Sequence, residues 1–61
     1  GTDFDRMFLE MMVLHHEGAI EMAEQQLADG KYQPAKDLAQ AIIAAQQTEI
    51  DEMNALLSSA G

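Results

Sequence analysis

The sequence predicts an all-α protein: an antiparallel hairpin of two helices. Three observations carry that expectation. Apolar residues recur at steps of three and four, nothing alternates with a period of two, and the helix-breaking residues gather in one stretch, "LADGKYQP", near the middle. The first helix is expected over about residues 3–29, where Phe4, Met7, Phe8, Met11, Met12, His15, Ala19, Met22 and Ala23 keep helical spacing. Thr2 or Asp3 can cap its start, and Asp3 and Asp5 suit the positive end of its dipole. A turn follows over about 30–33, with Gly30 expected in the left-handed position that ends a helix and Pro34 in the first turn of the next. The second helix is expected over about 34–58. It carries Leu38, Ala39, Ile42, Ala45, Glu49, Met53 and Leu56 on one face and dissolves in "SSAG". So short a connection makes the helices antiparallel neighbours.

Residues 1–61 form a single helical-hairpin domain, expected to be a piece of a longer parent chain. A chain this small buries only about 60% of its unfolded surface. With no cysteine it has no disulfide to help, which leaves a metal, oligomerisation or further chain as sources of stability. On the first helix Arg6, Glu10, Glu17, Glu21 and Glu24 crowd into one polar stripe. The remaining apolar arc is wider than one partner helix covers, and Ile43, Ile50 and Leu57 widen the second helix similarly. Hairpins are therefore expected to pair, with each other as a homo-oligomer or with further helices of the parent chain, forming a four-helix bundle.

The formal net charge is -8, and Arg6, Lys31 and Lys36 are the only cations besides histidine. Nucleic acid is an unsuitable partner, since phosphate neutralisation needs clustered lysine or arginine. Anionic membrane surfaces are disfavoured for the same reason, and no apolar run is long enough to insert into a bilayer.

Several polar residues sit where apolar ones are expected. His15 falls near the centre of the first helix's apolar face, on a ladder Asp3–Met7–Met11–His15; His16 lies about 100° away, beside Met12, Ile20 and Ala23. Glu49 interrupts the apolar stripe of the second helix, with Gln46 one turn earlier. A carboxylate there is costly unless it is paired or holds a metal. Folding the hairpin about Lys31 and Tyr32 brings His15 level with Thr48, Glu49 within one turn, and Met11 and Met12 opposite the Asp51–Met53 region. The candidate metal ligands are thus His15, His16, Met11, Met12, Glu49 and Met53. Thioether with imidazole and no thiolate suits Cu(I); imidazole with carboxylate also suits Cu(II) or zinc. A competing reading needs no metal: Glu49 holds a histidine as a buried ion pair, and methionines at core positions fill gaps. The Glu-x-x-His pairs of a di-iron bundle are absent, as are a cysteine nucleophile and a glycine-rich phosphate loop, so no enzymatic activity is expected.

The segments "FLEMMVLHHEGAIEMA" and "LAQAIIAAQQTEIDEM" resemble the bacterial domain of unknown function 305 family, from Asp5 to about Leu57. The resemblance rests on Met12 before His15 and His16, on Ala19, Met22 and Ala23, and on Ile43, Gln46, Glu49, Ile50 and Met53. It implies a ferritin-like helical bundle and a periplasmic or exported protein. In some members it implies copper binding, with His15, His16, Met12, Met53, Glu49 and Gln46 matching the motif. The tryptophan common near the motif's end is replaced here by Ala55 and Leu56. The expected function is non-enzymatic sequestration or homeostasis of a metal, most simply copper. The alternative is a structural or oligomerisation module built on a His–Glu network.

Overall fold

A computed structural model of the chain describes residues 2–60, with side chains described for 3–59. Helix α1 spans Thr2–Asp29 and helix α2 spans Gln33–Ala60. Each has 28 residues, and they lie side by side as a rod of 45 × 14 × 12 Å. The expected all-α hairpin is observed.

The termini of the helices depart from expectation in instructive ways. Asp3, one of the two expected caps, lies within the first turn of α1 rather than before it, and with Asp5 it stands at the positive end of the dipole as expected. The side chain of Thr2, the other expected cap, lies outside the described residues. Gly30 does not take the left-handed conformation; its N–H continues the helical pattern to the Gln26 carbonyl at 2.8 Å. Glycine is nevertheless required there, because a Cβ at Gly30 would collide with the carbonyl oxygen and the side-chain amide of Gln26. Tyr32 sits just before α2 and accepts from the Lys36 N–H at 3.1 Å, which places Pro34 in the first turn as expected. Nor does α2 dissolve in its last residues. It runs on to Ala60, and Ser59 Oγ turns back to donate to the Leu56 carbonyl at 3.1 Å.

The helices meet along two seams of matched spacing. On α1 the seam is Leu9, Val13, His16, Ile20, Ala23 and Leu27; on α2 it is Ala39, Ile43, Gln46, Ile50, Met53 and Leu57. Steps alternate between three and four on both, the pattern of helices packing ridge into groove at a shallow angle. His16, Ala23, Ala39 and Ile50 are the residues most removed from solvent.

This corrects the expected inner faces. The ladder of Met7, Met11 and His15 points outward, with Met11 62% exposed. Leu38 and Leu56 likewise lie outside the seam of α2, which is rotated toward Ile43, Ile50 and Leu57. The apolar arc of α1 is wide enough for two seams. The hairpin buries the one with Val13, Ile20 and Ala23, whose side chains have little rotamer freedom to lose, rather than the one rich in flexible methionine.

The two flanks of the rod therefore differ. One side carries the exposed Glu10, Glu17 and Glu24 of α1. The other carries Phe4, Phe8, Met11 and Met22 of α1 with Leu38 and Leu56 of α2. A groove lined by both Met22 and Leu38 shows that these apolar strips share one side. Among the described residues, no helix is long and apolar enough to cross a membrane.

Candidate functional site

The polar core of the hairpin is built from His16 outward. The seam of α1 places His16 at mid-helix, where its side chain is 9% exposed. Its Nδ1 lies 2.7 Å from the Met12 carbonyl oxygen one turn earlier, and its Nε2 lies 2.5 Å from Glu49 Oε1 on α2. A carbonyl only accepts, so Nδ1 carries a proton and donates it to Met12. That fixes the ring and directs Nε2 across the helix interface at the carboxylate. Glu49 reaches it from the edge of α2 with a side chain 53% exposed. The carboxylate therefore joins His16 to solvent instead of being sealed in.

The residues around this pair divide into two sets. Met12 and Met53 are half-buried beside it, Met53 on the α2 seam one turn beyond Glu49. Gln46 is half-buried one turn before Glu49. His15 and Met11 are exposed on the apolar side. The His15 ring stands edge-on to that of His16, with centroids 6.3 Å apart and planes at 73°. The height expected from the loop is thus reproduced, but His16 rather than His15 makes the contact with Glu49. The helical step of about 100° separates the two rings' environments: one enters the seam and the other faces outward.

Of the six candidate ligands, the fold joins His16 to Glu49 directly and connects Met12 through its backbone carbonyl. His15, Met11 and Met53 lie about the same height without a hydrogen bond to the pair. Among the described residues, no three His, Asp or Glu side chains converge as a ready-made metal cluster. Any site completed here would draw on the thioethers, whose soft sulfur complements imidazole for a soft ion.

Sequence reasoning missed a second link between the helices. Arg6 Nη2 donates to the Leu57 carbonyl oxygen at 3.1 Å, and Nη1 approaches Glu10 Oε1 at 3.7 Å. Leu57 lies in the last turn of α2, whose carbonyls have no partner within the helix, so a guanidinium there satisfies one and faces the negative end of the dipole. The signal was available: Arg6 is three residues before Leu9, in step with the seam.

Beside this geometry stand the comparisons with known proteins. No curated protein and no solved structure matches the chain. A family model does, over residues 1–57: the chain belongs to the family described as a domain of unknown function, DUF305.

Proposed function

We propose that the protein is a non-enzymatic metal-binding helical hairpin, most simply for copper, which sequesters or passes on the ion. The carrying observation is the posture of His16. Its Nδ1–H is committed to the Met12 carbonyl, and Nε2 points at the Glu49 carboxylate. Metal-binding histidines are commonly anchored in this way, one nitrogen donating to a backbone carbonyl while the other holds the ion. An ion held between Nε2 and Glu49 would take the place of the proton that now links them. Met12 and Met53 would add thioethers from the half-buried margin. His15 and Met11, exposed and able to change rotamer, would close the set from the apolar side. Mixed imidazole and thioether donors favour Cu(I) over harder ions. The reading places the protein in the periplasm or another exported compartment, as the family resemblance implies, and two hairpins pairing through their apolar sides would make a four-helix, ferritin-like bundle.

A second reading is favoured by the same contacts. Both nitrogens of His16 are satisfied within the chain, so the His16–Glu49 link would serve as a polar latch fixing helix register. Titration of the metal-free protein with Cu(I) against a competing chelator separates the two. The metal reading expects retention that a His15→Ala, His16→Ala double variant loses, together with a melting temperature that rises with copper. No retention, or retention unchanged in the double variant, leaves the latch.

A further inference from the structure

The apolar side of the hairpin has two unlike ends. Near the start of α1 it projects Phe4, Met7 and Phe8, each more than half exposed. Toward the loop it holds a groove of about 460 Å³ walled largely by Ala19, Ala23, Ala35 and Ala39, with Met22 and Leu38 at its lips. One end offers bulky knobs; the other has a hollow that small side chains leave open.

Their spacing along α1 is symmetrical about His15. Phe8 and Met22 stand seven residues to either side of it, Phe4 and Gln26 eleven, Met11 and Ala19 four. At 1.5 Å per residue, the aromatic knobs and the groove lie about 10–16 Å from His15 in opposite directions. A two-fold axis crossing the rod at His15 therefore exchanges knob for groove. An isologous interface demands that relation, each patch meeting its own complement on the other copy.

The geometry points to a second copy of this chain as the occupant of the apolar side. Two hairpins lie face to face with their loops at opposite ends. Phe4 and Phe8 of each sit over the alanine groove of the other, and both His15 side chains stand at the axis. This arrangement rests on the paired-hairpin part of the reading above and is independent of the metal.

Surface area and the placement of the acidic stripe of α1 agree with it. The chain exposes 4542 Å², whereas a compact folded protein of its mass is expected to expose about 3,900 Å². The excess of roughly 600 Å² approaches the ~800 Å² that each partner of a standard interface buries. Glu10, Glu17 and Glu24 lie on the opposite side, so these acidic stripes of two copies face away from one another; Glu49, on the same strip of α2 as Leu38 and Leu56, meets the paired side with its carboxylate already engaged by His16. The other face-to-face pairing, with the axis along the helices and both loops at one end, sets groove against groove and leaves both unfilled.

The test has two parts. Sedimentation equilibrium of the native chain across a concentration series should give a dimer; a monomer throughout would overturn the paired-hairpin reading and this arrangement with it. The arrangement is then tested by cysteine pairing, since the native chain has no cysteine to interfere. His15→Cys should form a disulfide-linked dimer under mild oxidation, because residues at the axis come within bridging distance. Phe8→Cys alone should not, its two copies being about 21 Å apart along the rod. Phe8→Cys mixed with Met22→Cys should link into a heterodimer. Circular dichroism confirms that each variant keeps its helix content. A native dimer in which His15→Cys fails to link, while Met22→Cys mixed with Leu38→Cys succeeds, would overturn the opposed-loop arrangement and leave the paired hairpin standing.

Discussion

A histidine in a small hydrophobic seam is normally a burden, because its polar nitrogens lose water. His16 avoids that cost through two partners from different levels of the structure: a backbone carbonyl of its own helix and a carboxylate from the next. The two contacts have different sensitivities. The Met12 carbonyl survives any side-chain substitution, while the Glu49 contact depends on one residue. Replacing Glu49 by alanine should lower stability by about 1–2 kcal/mol, the cost of a polar nitrogen left unpaired and partly offset by water at so exposed an edge. Glutamine, which keeps an oxygen within reach, should cost less. Urea denaturation of the two variants measures the difference, and equal losses would show that hydrogen bonding at Nε2 is not what Glu49 contributes. That a histidine and Glu49 meet across the hairpin was legible in the sequence, from residues equidistant from the loop. Which histidine makes the contact was not, because a single step around a helix separates the seam from the outer face and the wide apolar arc offered both.

For the helices, the loop and the helical character of both segments could be read directly, since glycine and proline cluster only once between two long periodic stretches. Their rotation could not. Leu38 and Leu56 are larger than Ala39 and have the apolar surface expected of a core, yet they stand outside it while Ala39 is 3% exposed. The reason is pairwise: a helix buries the stripe that mates with its neighbour, and small residues near the loop let the two backbones approach closely. A direct check follows. Ile50→Ala, at the centre of the α2 seam, should cost about 2–4 kcal/mol. Leu14→Ala, which removes the same three carbons but from a side chain exposed beside the acidic stripe, should cost less than about 0.5 kcal/mol. Chemical denaturation of both variants decides it; comparable losses would mean that the seam is misplaced by a rotation of α1. The extension of α2 through Ser58 and Ser59 has a similar local origin. A hydroxyl that can return to the preceding turn lets a polar end stay helical, and the Arg6 contact fastens the same turn from the other helix.

At the scale of the whole molecule, the hairpin has more apolar surface than interior. Among the described residues no large side chain is fully buried, while two phenylalanines and three methionines are more than half exposed. Such a rod cannot be very stable alone, so its stability should depend on company: the melting temperature should rise with protein concentration, as it does when association favours the folded state. Differential scanning calorimetry at several concentrations tests this, and a concentration-independent transition would assign the stability to the single hairpin. The position of the helix ends has a further consequence. Thr2 and Ala60 emerge together, at the end of the rod held by Arg6 and Leu57, opposite the loop. If two copies lie with loops apart, the exit of one stands beside the bend of the other, a full rod length of 45 Å from its counterpart. Genetic fusion of two copies into one polypeptide would then need a tether of about 13 extended residues to span that gap. A shorter tether would force both bends to one side and thereby choose the topology of the fused protein.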